Sequence, residues 1–436
     1  MRIRWMVVLL VLCSASAFAD YALRGTLVTP DQVIENGVLI VRSDGRIAAA
    51  AADVAIPEGV PVIDTNGFIY PGLIDLHNHL TWNAHPRWKP PQMSKNRYDW
   101  QAMPEYAKEL NGPHYAVAKD APCDLERFGE VKALAWGATS VVGGLPSECS
   151  RGMARNLDYA PGFEKSDALL YKVFPLELPP EDETAVRDAM KSGLPVIVHL
   201  SEGIDASALR EVRMANSQKF LMPGFIAIHG VALKEKELRD DLGKNGVGLV
   251  WSPRSNIELY GSTADVATAR KYVTIAIAPD WSPSGSDGMI AELRYAAGLA
   301  NNPFTAKELV QMATSNPARL ARLADKLGRL EPGMYADYVV VKRGTRDPYE
   351  SLIHAEVADI AAVAVAGRPL FGDAALLSAI QPSARIEALT VCGAAKAVDM
   401  SSSDDGKGIS FAATMTALEA AFAKAGAPLA RLDTCQ

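Results

Sequence analysis

Cysteine and histidine are scarce, five and seven in 436 residues, so each placement carries information. Blocks of lysine and arginine are absent, and the formal charge is -7. The chain therefore shows no electrostatic footprint for nucleic acid or an anionic membrane surface. A Cys-x-x-Cys spacing is missing, which argues against a cysteine zinc site. Apolar runs fall short of the ~20 residues that a spanning helix needs. Neither a glycine-rich phosphate turn after the first buried strand nor a tandem repeat is present. What remains is 49% hydrophobic and 22% charged, which excludes a disordered or fibrous chain and suits one large core with a smaller one.

The first segment has a basic start at Arg2 and Arg4, an apolar stretch from Trp5 to Cys13, and Ala17-Phe18-Ala19 as a small-x-small signal. This pattern predicts a secretory signal peptide over residues 1–19, cleaved after Ala19, and so a secreted, periplasmic protein. The alternatives fit less well: the apolar stretch is about half a membrane span, and Leu12 stands where a lipid-attachment site wants a small residue. Cleavage leaves 417 residues and, with both arginines gone, a charge of -9. It also leaves Cys123, Cys149, Cys392 and Cys435, an even number in an oxidising compartment. Proximity along the chain favours the pairs Cys123–Cys149 and Cys392–Cys435.

Past the leader, Asp44-Gly45 between two β-prone runs predicts a hairpin, and Tyr338 to Val341 and Ala361 to Ala366 resemble strands far downstream. Between these ends, short apolar runs alternate with helical stretches. Strands are expected at Ile69 to Leu76, Thr139 to Val142, Leu169 to Phe174, Val196 to Leu200, Phe225 to Ile228, Val247 to Trp251 and Thr274 to Ala278. An eighth is expected within Leu145 to Phe163. The block from 68 to 325 has the length of a (β/α)8 barrel, typically about 250 residues. Trp82 to Tyr115 is an insertion after the first strand, placed to cover a barrel mouth. Residues 374–436 form an extension in which Phe411, Met415, Leu418 and Phe422 recur at helical spacing after a polar linker, Ser401 to Gly408.

The histidines locate the chemistry. His77 and His79 are at i and i+2 at a strand end, pointing to one side. His199, His229 and Asp280 each follow an apolar run, at separations of about one and two β/α units. All five would meet at the C-terminal face of the barrel. Imidazoles with one carboxylate are a donor set for zinc, and also for iron or manganese.

Pro71-Gly72-Leu73-Ile74-Asp75-Leu76-His77-Asn78-His79, with His199, His229 and Asp280 in order, resembles the signature of the amidohydrolase superfamily of metal-dependent barrel hydrolases. The likeness extends to Gly328 to Asp337, so it runs from about 22 to 372. It implies an α/β fold: a (β/α)8 TIM barrel over 68–325, with a small composite β-sandwich from 20–67 and 326–373. His199-Leu200-Ser201-Glu202, Trp251 to Asn256 and Asp280 to Ser286 look like the mononuclear branch that holds cytosine, guanine and S-adenosylhomocysteine deaminases and triazine hydrolases. By this resemblance His77, His79, His199 and Asp280 bind one divalent metal ion, most readily zinc. Catalysis falls to Glu202, which moves protons, His229, which contacts the attacking hydroxide, and Asp280. The implied activity is C–N bond hydrolysis, by metal-activated hydroxide attack, in a small cyclic amine or amide, that is, by a deaminase or cyclic amidohydrolase.

Asn256, Ser286, His85 and His114 are weaker candidates for substrate contact, the two histidines reading more readily as surface groups. His354 reads as structural. Lys172 supports a rival, a binuclear peptidase or lactonase with a carboxylated lysine, and a non-catalytic metal-holding binding protein is a third reading. Expected partners are a small-molecule substrate and a second copy of the chain, with no nucleic acid and no membrane once the leader is removed.

Overall fold

The computed structural model describes residues 19–145, 149, 151–159, 162–163, 169–172 and 178–435, without the side chains of 170–172. The leader, apart from Ala19, lies outside the described residues, as do positions 173–174 of the expected fourth strand.

Both flanks of the chain meet in one sheet. The N-terminal strands are β1 (Tyr21–Val28), β2 (Val33–Val41), β3 (Ile47–Ala51) and β4 (Val62–Pro71). Between β2 and β3 the chain reverses through Asp44-Gly45 as expected, with Gly45 at φ +78, where a Cβ would press on the carbonyl of Ala366. After β4 come the strands of the central block: β5 (Leu73–Asp75), β6 (Ala138–Val141), β7 (Arg155–Asn156), β8 (Leu170–Lys172), β9 (Val196–Leu200), β10 (Phe225–His229), β11 (Gly248–Trp251) and β12 (Ile275–Ile277). The chain then returns with β13 (Tyr338–Lys342), β14 (Ile360–Val365), β15 (Arg368–Gly372), β16 (Ile386–Val391) and β17 (Ala394–Asp399).

The flanking strands form a nine-stranded sheet in the order β16-β17-β15-β14-β13-β4-β1-β2-β3. β13 lies antiparallel to β4, so N- and C-terminal segments share a core of Leu23, Leu39, Ile69, Tyr338 and Val340. Tyr21 ties the halves together, its hydroxyl 2.9 Å from that of Tyr338 and 2.6 Å from the carbonyl of Gly367.

The central strands are parallel, in a three-stranded sheet β5-β6-β7 and a five-stranded sheet β12-β11-β10-β9-β8. Strands β9 to β12 are buried throughout, which is why they read as unbroken apolar runs. One expectation changes here, and another is located. The run Ile69 to Leu76 is divided: Pro71 ends β4, and at Gly72, where any Cβ would collide with Thr139, the chain leaves one sheet and enters the other as β5. The eighth strand is β7, whose two residues, Arg155 and Asn156, are polar and carry no hydrophobic period.

The extension also does more than expected. Its strands β16 and β17 form a hairpin that prolongs the nine-stranded sheet beyond β15, with Phe371 opposite Val398. The predicted helix is present at Phe411–Ala425, capped by Ser410, and buries Phe411, Leu418 and Phe422 against the helix Pro122–Ala135, with Phe411 and Phe128 rings 6.5 Å apart. Cys123 bonds to Cys149 and Cys392 to Cys435, the second closing the tail onto β16. No helix among the described residues is long and apolar enough to cross a membrane.

Candidate active site

Five of the expected groups converge where the parallel strands end. His77 and His79 follow β5, His199 is the fourth residue of β9, His229 ends β10, and Asp280 stands three residues past β12. The β9–β10 register pairs Ile228 with His199, so the two imidazoles come from adjacent rungs. His77 lies at the centre. Its Nε2 is 3.1 Å from His199 Nε2 and 3.3 Å from Asp280 Oδ1, and its ring centroid is 4.7 Å from that of His229. His79 Nε2 is 3.4 Å from the same Asp280 oxygen. Two overlapping sets, His77-His199-His229 and His77-His79-Asp280, each bring their donor atoms within 4.8 Å of one another.

The backbone is bent to achieve this. Ser201, His229 and Asp280 have φ of +55, +71 and +64, in the left-handed region that non-glycine residues enter only when their surroundings compel it. Each of these bends occurs as a strand gives way to its loop, turning the polar side chain over the strand end. A ring of hydroxyls and amides fixes the orientations. Ser252 Oγ is 2.8 Å from His77 Nδ1, and Ser255 donates to Asp280 Oδ2 at 2.6 Å. Asn256 Oδ1 accepts from His229 Nδ1 at 2.8 Å, its amide nitrogen being turned to Thr263 at 3.2 Å.

Burial sets the charges. It holds His79 down to about 3 and His77 and His199 well below the ordinary imidazole range, each reinforced by neighbouring imidazoles. All three are therefore neutral, with a lone pair to give. Burial drives the Asp280 carboxyl well above its usual range, a shift that a bound cation reverses. Neutral imidazoles around a carboxylate with, among the described residues, no lysine or arginine paired to it are what a divalent ion fits, and zinc most closely.

Glu202 is adjacent, with Oε2 3.7 Å from His229 Nε2. Its other oxygen accepts from Tyr260 at 2.5 Å, and Tyr260 in turn accepts from Trp100 Nε1 at 2.8 Å. Trp100 belongs to the Trp82 to Tyr115 insertion, which lines the cavity beside these groups. That insertion is clipped to the Glu202 loop: Arg97 N donates to Glu202 O at 3.2 Å, Ile204 N to Lys95 O at 2.6 Å, and the buried Arg97 guanidinium pairs with Glu211 at 2.9 Å.

Above the histidines is a cavity of about 220 Å³ walled by Trp82, Trp100, Tyr106, Tyr115 and Trp281, with Gln101 as a neutral polar group. Among the described residues neither lysine nor arginine lines it. The weaker candidates lie elsewhere. Asn256 serves His229, and Ser286 bonds to Glu292. His85 and His114 are buried rather than on the surface, behind the cavity wall: His114 stacks on Trp82 at 3.6 Å and His85 meets Phe422 at 4.9 Å. His354 is half-exposed beside Glu350, away from the site. Lys172 is in β8, and its side chain is outside the described residues. Residues not anticipated from sequence are Tyr260, Ser252, Ser255 and the aromatic walls. Of these, the two serines lie inside segments already singled out, whereas Tyr260 carries no motif.

The model of the family described as "Amidohydrolase family" matches residues 160–370. A 5-methylthioadenosine/S-adenosylhomocysteine deaminase of Syntrophobacter fumaroxidans is 29% identical over 212 residues, 44% of this chain and 48% of that protein. One of the same name from Desulforamulus reducens is 24% identical over 389 residues, 77% of this chain and 87% of its own length. A zinc-bound adenosine deaminase from Xanthomonas campestris shares the fold, with a TM-score of 0.67 at 18% identity over 94% of this chain and 99% of that one. Signature, fold and the matched segment agree in relating this chain to the amidohydrolase superfamily.

Proposed function

We propose that the chain is a secreted hydrolase of C–N bonds in a small cyclic amine or amide, a deaminase or cyclic amidohydrolase. The observation that carries this reading is Glu202 and His229 standing 3.7 Å apart beside a buried imidazole–carboxylate cluster, on the floor of an aromatic cavity. His77, His79, His199 and Asp280 would hold one divalent ion, zinc by donor type. When bound, such an ion lowers the pKa of water from near 16 toward about 7 and polarises a substrate carbon. Asp280 takes the proton of the attacking water, its Oδ2 meanwhile anchored by Ser255. With Nδ1–H committed to Asn256, His229 uses Nε2 to accept a proton and then to donate a hydrogen bond to the developing negative charge. Burial lowers the His229 imidazole overall, and the nearby Glu202 carboxylate and the Asn256 hydrogen bond oppose it, favouring the protonated form as charge develops. Glu202 receives that proton across the 3.7 Å gap from His229 and delivers it to the leaving nitrogen, and Tyr260 fixes which oxygen is free to do so. The aromatic walls exclude water and suit a flat ring. Among the described residues neither lysine nor arginine lines this cavity of about 220 Å³ to pair with a phosphate or carboxylate at its walls.

The finer architecture belongs to the same reading. The two parallel sheets together hold the eight strands of a closed (β/α)8 barrel. In support, Leu169 N donates to Leu157 O at 2.8 Å across one gap and Asp280 N to His77 O at 3.0 Å across the other. The flanking sheet then closes over its own core as a β-sandwich whose C-terminal part runs through β17, beyond the 326–373 expected. Secretion rests on the residue 1–19 pattern and fits the two disulfides.

Protein recovered from the periplasm should begin at Asp20 and contain no free thiol; retention of the leader, or labelling of all four mature cysteines, contradicts export. Screening heterocyclic amines, cyclic amides, acylated amino acids and lactones with product mass detection should find turnover with ammonia release for a deaminase, or ring opening for a cyclic amidohydrolase. His77→Ala and Asp280→Ala should lose metal and turnover together, and full turnover by a metal-free preparation would sink the proposal. Glu202→Gln should keep its metal while kcat falls about 10²- to 10⁴-fold, and unchanged kcat contradicts the proton-transfer role.

A further inference from the structure

The C-terminal extension reaches the substrate cavity from behind. Two of the aromatic side chains that wall the cavity, Trp82 and Tyr115, come from opposite ends of the insertion, one on the turn Leu80–Trp82 and the other on the helix Gly112–Asp120. Both ends rest on the helix Phe411–Ala425. That helix packs on Gly112–Asp120, with Lys424 Nζ 2.7 Å from Asp120 Oδ2. Its Phe422 ring lies 4.9 Å from that of His85, and His85 lies 5.9 Å from Trp82. His114, the neighbour of Tyr115, stacks on Trp82 at 3.6 Å and stands 5.4 Å from His85. Leu80, Ala84, Val117, Leu418 and Phe422 are all buried in one apolar cluster.

The chain beyond the helix adds a second hold. Gly426 ends the helix at φ +65, and Ala430 N then donates to Ala84 O at 2.8 Å. Residues 427–435 form neither helix nor strand, so they depend on ties to their surroundings. Those ties lie just past Ala430. Cys392 N donates to Leu432 O at 2.8 Å, Gly393 N to Asp433 O at 3.0 Å, and Cys435 is bonded to Cys392 between β16 and β17. Because β17 is paired with β15, the tail is anchored to the nine-stranded sheet. It runs from helix to sheet as a strap, with its middle against the segment that carries Trp82.

We propose that the extension is a positioning element for substrate binding: Phe422, and the strap pinned by the Cys392–Cys435 bridge, hold Trp82 and Tyr115 at the spacing that receives the substrate ring. Close packing passes a displacement at Phe422 to His85 and so to the wall, because a void behind the wall has nothing else to fill it. Glu202 is held by a different part of the insertion, through Lys95, Arg97 and Trp100 with Tyr260. Loosening the strap therefore separates binding from proton transfer. A wall that touches substrate equally in the ground and transition states acts on KM and leaves kcat alone. The positioning rests on contacts alone, and its effect on KM rests in addition on the hydrolase reading.

The test compares the mature wild-type chain with Phe422→Ala, Phe422→Leu and the double variant Cys392→Ser/Cys435→Ser, first by hydrogen exchange with mass detection and then by kinetics on a substrate from the screen. In Phe422→Ala and the double serine variant, amides of residues 80–88 and 112–120 should exchange about tenfold faster or more, while those of β9 and β10 keep the wild-type rate. Phe422→Leu, which keeps the apolar bulk, should stay close to wild type. KM should rise about fivefold or more in the two loosened variants while kcat stays within about twofold. If Phe422→Ala does not fold, the double serine variant decides. Unchanged exchange in both segments, or an equal rise in β9 and β10, overturns the proposal, and so does a fall in kcat with KM unchanged. If the wild-type chain turns over no compound, the hydrolase reading fails and the exchange result alone decides the positioning.

Discussion

Everything at the C-terminal ends of the parallel strands depends on withdrawing imidazoles and one carboxylate from water into the same few ångströms. Such groups do not gather for packing. Each loses hydration, and the nitrogens of His77 and His199 face each other at 3.1 Å. The cost is met structurally by strands too apolar to leave the core and by three left-handed residues at their ends. It is met electrostatically by burial keeping the imidazoles neutral. A cation turns this arrangement from a penalty into a binding site, and the serines and asparagine around it fix which atom of each ligand faces inward.

The insertion extends this logic from binding to chemistry. A carboxylate that must hand over a proton needs a defined orientation, and Glu202 sits on a loop rather than a strand. Its orientation comes from two directions: the insertion pairs with its backbone through Lys95 and Arg97, and Trp100 reaches its side chain through Tyr260. The same segment supplies four of the five aromatic walls, so the element that shapes the cavity also holds the group proposed to transfer the proton. His114 and His85, buried behind Trp82, serve as packing for that wall.

The site was legible in sequence because the family signature and strand-end spacing both depend on side chains that a buried apolar run cannot otherwise tolerate. His77, His79, His199, His229 and Asp280 all follow such runs, and all five came together. The strands with an apolar period were equally visible. Less visible were features decided by tertiary context. The strand β7 is two polar residues, recognisable only through its neighbours in the sheet, and one apolar run became two strands because Gly72 lets the backbone pass Thr139. The β16–β17 hairpin is alanine-rich, with weak β signal, and forms because the edge of β15 is there to receive it. Tyr260 has no sequence mark at all, since its role comes from a contact between separate loops.

The central claim is that these ligands hold a single ion, with Glu202 free beside it. Anomalous diffraction from crystals of the purified chain, collected across the zinc edge, tests it most directly. One peak bonded to His77, His79, His199 and Asp280, with Glu202 unligated, is the predicted result. Two peaks bridged by a carboxylated Lys172, or none at the histidines, would contradict it.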